Sequence, residues 1–542
     1  MREKGMRKYI RFITGLHDYF NQRLEPAAAL EEAKSLLKER MQRREHNFLN
    51  LIKKGIFSYE KSPYLRLMKK PKIIYQDICN WVNQKGLEGA LQQLLEEGVY
   101  FTVDEFTGKT EVSRNGERFR CTESMFDNPF LSCIYEVRSG ATRSAGTRIR
   151  IDFEYLRQRS LYDAFLLNVH EALTSPIANW FPVFPGAPGI NSSLRFTRIG
   201  NPPRRWFSQV DKSQVKVNWE KIWGTNLIFW MAKIKGVPLA RPEYVNLNNA
   251  LEVALWANRM LSSNENCVIY TFATSAVRVC MAAEENNINI KGTIFLVTGE
   301  TLTSQKRKEI ERVGARAVPV YGISEAGVIA AGCNQVHPDQ ESDHCHIYKD
   351  SIAIISHKYL VTHFDTEVDS LLFTSLLYES PKLLLNVGMG DYARLSYFKT
   401  DCPFGNIGFN SHISSIKSYE KLTGEGVTFV DTDFIRIIEK ELPERFGGTS
   451  TDYQLVEEED EKGFSRLRLL ISPRVGEVDE DKVVSQFIEL LRKSEDSPES
   501  WAQSGTLMWE QARMIRVRRN FPLPTASGKI LPFHLVKQVD KK

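Results

Sequence analysis

No stretch of this 542-residue chain approaches eighteen consecutive apolar residues, so a membrane-spanning helix is not expected. Its eight cysteines are scattered and lack the spacing of a disulfide framework. The expected setting is therefore reducing, intracellular and cytoplasmic. No G-x-x-x-x-G-K-[ST] pattern occurs, which excludes a Walker A phosphate loop. There is no low-complexity tract and no fixed-period repeat, so a solenoid is excluded. Charge of one sign is also lacking: 72 basic against 67 acidic residues leave +5, mild for this size, and nucleic acid is not an expected partner. The basic start, MREKGMRKYIRFITGLHDYF, has its apolar run broken by charges and reads poorly as a signal peptide.

What remains is a globular composition, 42% hydrophobic and 26% charged, enough for two to four folding units. Residues 27–54 predict one long charged helix with an apolar stripe, and 86–98 a further helix. Together they suggest a helical front piece over residues 1–125, packed on the main domain. The middle of the chain alternates. CVIYTFA (267–273), TIFLVTG (293–299) and ARAVPVYG (315–322) predict strands. TSAVRVCMAAEENN (274–287), capped by Thr274 or Ser275, and SQKRKEIERVG (304–314) predict helices, with Gly314 at C′ of the second. This alternation predicts an α/β fold: mixed or parallel β-α-β sheets covered by helices over 126–418. A break follows after about residue 418. Beyond it, residues 419–542 predict a small α+β domain.

Four segments could carry chemistry. EVRSGATRSAGTRIRID (136–152) crowds Ser139, Gly140, Thr142, Ser144, Gly146 and Thr147 among four arginines, as a phosphate-binding loop or a surface turn. YGISEAGV (321–328) presents Ser324 and Glu325 where a strand ends, with Ser324 as a helix N-cap or both residues facing a ligand. LLLNVGMGDYARLSY (383–397) runs an apolar strand into Gly388, Gly390 and Asp391, with Arg394 three residues on. There the aspartate either accepts hydrogen bonds from ribose hydroxyls or sits in a β-turn. NFPLPTASGKILPF (520–533) puts Lys529 on a glycine-hinged loop, to reach an anion or to be solvated.

In this order the four segments resemble the acyl-adenylate-forming enzyme superfamily, and within it the phenylacetate–coenzyme A ligase branch. LVTGETLTSQKRKEIERVGARAVPVYGISEAG looks like that branch's Gly-Glu, helix and Tyr-Gly-x-Ser-Glu segment, and the likeness runs over roughly residues 60–535. The resemblance implies roles. Ser139, Gly140 and Thr142 would hold the ATP triphosphate. Tyr321 and Gly322 would line the adenine, with Gly299 and Glu300 nearby; Ser324 would bind phosphate and Glu325 Mg²⁺. Asp391 would take the ribose hydroxyls, Arg394 would follow it, and Lys529 would stand at the reacting carboxylate. The small domain would rotate on a hinge near Glu420.

The implied reaction is ATP-dependent activation of a carboxylic acid to an acyl-adenylate, with transfer to a thiol, most simply coenzyme A. The alternative is a biosynthetic adenylating enzyme that passes its acyl group to a carrier-protein thiol or an amine. Homodimers are frequent among such enzymes. The acyl pocket would draw on segments 183–200, 270–276 and 298–301.

The chain departs from the family pattern in three places: SGATRSAGTR stands where SGTTGKPT is usual, NVGMG where a tyrosine-arginine run precedes the aspartate, and IKSYEK at the hinge. Cys333, His337, His344, Cys345, His346 and Cys402 supply donors suited to tetrahedral Zn²⁺, as in some members of the branch. Cys333, His346 and Cys402 form the candidate set; the alternative is ordinary loop histidines and a buried cysteine. Phe404 occupies the position of the family's last cysteine, for which His344 or Cys345 could substitute.

Overall fold

The computed structural model describes residues 2–131, 135–138, 148–183, 188–215, 219–335, 341–361, 366–418, 421–424, 427–493, 499–523, 530 and 532–535. The expected α/β class holds: a twelve-stranded mixed sheet covered by helices is joined by a smaller four-stranded C-terminal sheet. One half of the large sheet is parallel. It orders Arg316–Ile323, Thr293–Thr298, Cys267–Phe272, Ile177–Trp180, Arg205–Ser208 and Pro242–Tyr244. Strands Cys267–Phe272 and Ile177–Trp180 are buried at every residue, as parallel strands covered on both faces must be.

The other half is antiparallel and runs through Gly327–Ala331, Cys345–Ile347, Ser411–Ser418, Val387–Tyr397, Thr366–Ser375 and Ile352–Val361. The two halves meet on one strand. Arg316–Pro319 pairs in parallel with Ile294–Val297, whereas Val320–Ile323 pairs antiparallel with Gly327–Ala331.

The helices up to residue 126 are not a loose appendage. Phe48, Tyr64, Leu91 and Phe101 share one apolar core with Ile329, Leu372 and Ile413 of the antiparallel half. The expected single helix over 27–54 is broken: Pro26–Gln42 and Arg44–Ile52 meet at Arg43, and a wider turn, Lys53–Phe57, follows. Beyond residue 418, where a break was expected, Lys421–Gly424 and Val427–Val430 form a hairpin. The four-stranded sheet then orders Ile515–Arg519, Ser465–Ile471, Tyr453–Glu459 and Phe533–Leu535. A helix unanticipated from the sequence, Glu499–Ala512, brings Gln511 to the large sheet's loops, where its side-chain oxygen accepts the Leu247 N–H at 3.1 Å.

Candidate active site

The YGISEAG segment does not lead into a helix. Strand Arg316–Ile323 turns through Ser324–Ala326 and returns as strand Gly327–Ala331, so Ser324 is a hairpin residue and not an N-cap. Two glycines make the turn possible. Gly327 has φ +82°, and a Cβ there would stand 2.0 Å from the Tyr155 hydroxyl. A Cβ on Gly322 would lie 2.8 Å from the Gly327 carbonyl oxygen, next to a register shift between Tyr321 and Gly322. The result separates the two chemical groups. Ser324 is exposed, while Glu325 is only 4% exposed.

Glu325 Oε1 has no hydrogen-bond partner among the described residues. A buried carboxylate oxygen left without a donor is costly, which favours a cation or donor supplied by a ligand. Helix Phe153–Val169 braces the turn from below. Its Asp152 cap accepts the Tyr155 N–H at 2.8 Å, and the buried Arg159 donates from Nη2 to the Ala326 carbonyl at 2.8 Å. The Arg159 guanidinium also lies 4.9 Å from the Tyr162 ring centroid. Sequence reading missed this arginine.

Tyr321 and Asp391, seventy positions apart, are brought together: the phenol donates to Asp391 Oδ2 at 2.9 Å. Burial, and then the neighbouring carboxylate, push the Tyr321 phenol well above its usual range, so it stays a donor. The sequence placed Asp391 where a strand ends. It lies instead inside strand Val387–Tyr397, directly after Gly390 (φ +84°), whose carbonyl accepts the Ser418 hydroxyl at 3.0 Å. A carboxylate accepts several hydrogen bonds, so Asp391 keeps capacity beyond Tyr321. Arg394 is exposed farther along the same strand, past a bulge.

Gly299, at φ +77°, ends strand Thr293–Thr298 and turns Glu300 inward. Glu300 Oε2 accepts the backbone N–H of Thr274 at 3.2 Å, its hydroxyl, and Lys306 Nζ at 3.4 Å. Thr274 and Ser275 are not caps: helix Ala273–Glu285 begins one residue earlier, and Thr274 binds Glu300 instead. The negative side chain sits against that helix's N-terminus, the favourable end. Ser139, Gly140, Thr142, Glu420 and Lys529 lie outside the described residues, as does His337.

A cleft of about 780 Å³ separates helix Ala273–Glu285 from the C-terminal sheet, and its charges balance: Arg278, Lys462, Arg466, Arg468 and Arg516 face Glu285, Glu458, Glu459, Asp460 and Glu461, with Arg466 paired to Asp460 and Arg468 to Glu458. Across the same boundary the Thr303 hydroxyl donates to Glu459 Oε1 at 2.7 Å.

The donors that could hold a metal converge elsewhere, at the far end of strand Gly327–Ala331. The ligand atoms of Cys333, His346 and Cys402 all lie within 4.8 Å of one another. His346 Nδ1 donates to the Phe409 carbonyl at 2.8 Å, leaving Nε2 to face Cys402 Sγ at 3.5 Å. The Cys333 hydrogen bond pulls the Cys402 thiol well below its ordinary value and raises Cys333, so one thiolate is already favoured. Two sulfurs and an imidazole this close fit three corners of a tetrahedral Zn²⁺ site. Cys345 cannot be the fourth ligand, because its thiol is buried against the Pro319 and Asp343 carbonyls. Phe404 stacks on the His346 ring at 5.2 Å, and His344 packs 4.8 Å from His412.

No protein-family model matches the chain, and no curated protein matches its sequence. The fold nevertheless has a counterpart among solved structures. A solved 2-hydroxyisobutyryl-CoA ligase, in complex with 2-HIB-AMP and CoA, superposes with a TM-score of 0.51 at 12% identity, over 91% of this chain and 90% of that one. An o-succinylbenzoate CoA synthetase from Bacillus subtilis gives 0.39 at 10% identity, over 82% and 79%. An amide bond synthetase from Marinactinospora thermotolerans gives 0.36 at 10% identity, over 83% and 78%.

Proposed function

We propose that this protein activates a carboxylic acid with ATP, forming an acyl-adenylate and pyrophosphate, and then passes the acyl group to a thiol, coenzyme A in the first instance. The observation that carries this reading is Glu325, buried with an unpartnered oxygen in the hairpin where the two sheet halves meet, beside the Tyr321–Asp391 pair.

In this reading the acid's carboxylate attacks the α-phosphorus, the bond to the bridging oxygen breaks, and pyrophosphate leaves. Two anions must approach, so the site's work is positioning and charge compensation. Tyr321 and Gly322 line the adenine, and Asp391 accepts the ribose hydroxyls, with Arg394 beyond it. Ser139, Gly140, Thr142 and the exposed Ser324 donate to phosphate oxygens. Glu325 would hold Mg²⁺, whose charge when bound offsets that of the phosphates. Lys529 brings an ammonium to the carboxylate and α-phosphate. Gly299 turns the chain so that Glu300, fixed by Thr274 and Lys306, backs the nucleotide pocket. In the second step a thiolate attacks the acyl carbonyl, AMP leaves, and a thioester forms.

We assign residues 1–125 to a front piece, 126–418 to the adenylate-binding domain and 419–542 to a small domain that turns between the two steps. Cys333, His346 and Cys402 would hold a structural Zn²⁺, remote from the Ser324–Ala326 turn. The phenylacetate–coenzyme A ligase branch is the proposed affiliation.

The test is pyrophosphate release from ATP and Mg²⁺ across a panel of carboxylic acids, with and without coenzyme A. Acid-dependent release that speeds up with coenzyme A and yields a thioester supports the proposal. Acid-dependent release indifferent to coenzyme A reassigns the acceptor to a carrier protein or an amine. No release with any acid opposes both.

A further inference from the structure

Helix Trp219–Ile234 has two apolar faces. One packs Ile228, Met231 and Ala232 into a small core with Phe12, Leu16 and Phe153. The other is open: Ile222, Trp223 at 40%, Trp230 at 57% and Ile234 at 57% exposure follow each other along it. Helix Arg2–Asn21 lies alongside. The Tyr9 ring meets Trp223 edge-on at 5.0 Å, and Lys235 Nζ is 2.8 Å from His17 Nε2. This second helix adds Ile10 and Ile13 to the exposed surface. Six of the fifteen exposed large hydrophobics among the described residues thus fall on two adjacent helices, a concentration rather than normal scatter.

The sequence of the two helices is one-sided in charge. Segment 2–21 holds Arg2, Lys4, Arg7, Lys8 and Arg11 against Glu3 and Asp18. Segment 219–235 holds Lys221, Lys233 and Lys235 against Glu220. These two short segments carry a positive excess equal to the +5 of the whole chain. A second copy would bring the same positive face and be repelled. Tryptophan and isoleucine bordered by lysine and arginine are instead the composition of helices that lie in a lipid interface.

We propose that this helix pair docks the protein on an anionic lipid bilayer, with Trp223, Trp230 and their isoleucine neighbours at the acyl boundary and the cations against the headgroups. The docking is peripheral, since no helix of the described residues is long and apolar enough to cross a membrane. It does not depend on the adenylation reading.

The experiment is co-sedimentation of the full chain with vesicles of phosphatidylcholine alone and of phosphatidylcholine mixed with phosphatidylglycerol. The expected result is pelleting with the anionic vesicles only, weakening as salt is added. Trp223→Ala with Trp230→Ala should lower the partition by about tenfold or more, as bound apolar area is lost. Leu255→Ala, an exposed hydrophobic elsewhere, should change nothing. All these side chains are exposed, so the variants should fold, and circular dichroism checks this. Equal recovery in the supernatant with both vesicle types would overturn the proposal, as would wild-type binding by the double tryptophan variant. Light scattering supplies the third arm: an oligomer that Trp230→Glu dissociates would assign the face to a second copy instead.

Discussion

Replacing Glu325 with glutamine separates a functional carboxylate from a structural one, because the two readings predict opposite signs. The side chain is 4% exposed, and Oε1 meets no donor among the described residues. Held without a cation, its charge costs free energy in the folded chain. Glu325→Gln keeps the shape and removes the charge, so stability should rise by about 1–2 kcal/mol, a Tm increase of about 2–4 °C. A structural glutamate whose hydrogen bonds held the turn would instead lose about 1–3 kcal/mol on the same change. Activity moves the other way. Without a carboxylate to hold Mg²⁺, acid-dependent adenylation should fall by about 10²–10³-fold, about 3–4 kcal/mol of transition-state stabilisation. Thermal melts without nucleotide and single-turnover acyl-AMP formation read the two quantities separately. A variant that melts lower and adenylates at the wild-type rate would refute the reasoning on both counts.

Other outcomes follow from the same structure. Lys529→Ala should lower acyl-adenylate formation by about 10²-fold or more, about 3 kcal/mol, with ATP binding little changed; equal rates would remove the lysine from the mechanism. Gly327→Ala forces a methyl toward the Tyr155 hydroxyl at φ +82°, and should cost about 2 kcal/mol or more in a denaturant melt; a neutral result would show that the turn relaxes freely. Glu457, half-buried on the small domain, is raised by burial from the usual 4.5 to about 7, despite Lys306 and Lys417. The folded state therefore prefers the protonated acid. Its contribution to stability is complete below about pH 4.5 and is lost as pH rises through about 7. Glu457→Gln should flatten that decline in melts between about pH 5 and 9, and parallel slopes for variant and wild type would contradict it. Adding Zn²⁺ to chelator-treated protein should raise its Tm, and Cys402→Ser should abolish the rise; an unchanged Tm in the unsubstituted protein would count against the Cys333–His346–Cys402 site.

Three strands of the parallel half, Cys267–Phe272, Thr293–Thr298 and Arg316–Ile323, were legible because they are largely apolar runs joined by short periodic helices, whereas Ile177–Trp180, Arg205–Ser208 and Pro242–Tyr244, three or four residues long, gave too little pattern to read. Gly314 does sit at C′ of helix Ser304–Arg312, at φ +74°. The antiparallel half was harder to read. GVIAA, residues 327–331, is a short apolar run that periodicity does not distinguish from the first turn of a helix, so the hairpin at Ser324 was read as a possible cap. Asp391 was misplaced for a related reason: Gly388 and Gly390 look like a turn, yet the strand begins there and bends on them. Helix Glu499–Ala512 hides its stripe among Ser, Gly and Thr, which sequence reading takes for loop. Arg159 gave no signal. Its acceptor, the Ala326 carbonyl, is 167 residues away, and only the tertiary fold brings the two together.

The central claim is AMP-forming activation of an acid, and the most direct measurement is the identity of the nucleotide product. The protein is mixed with ATP, Mg²⁺ and a carboxylic acid that supports turnover, quenched within one turnover, and analysed by mass spectrometry. The account predicts an acyl-adenylate at near-stoichiometric yield, with pyrophosphate and, once a thiol acceptor is added, AMP and the thioester. ADP with inorganic phosphate, or ATP consumed without any acyl-nucleotide, would contradict it.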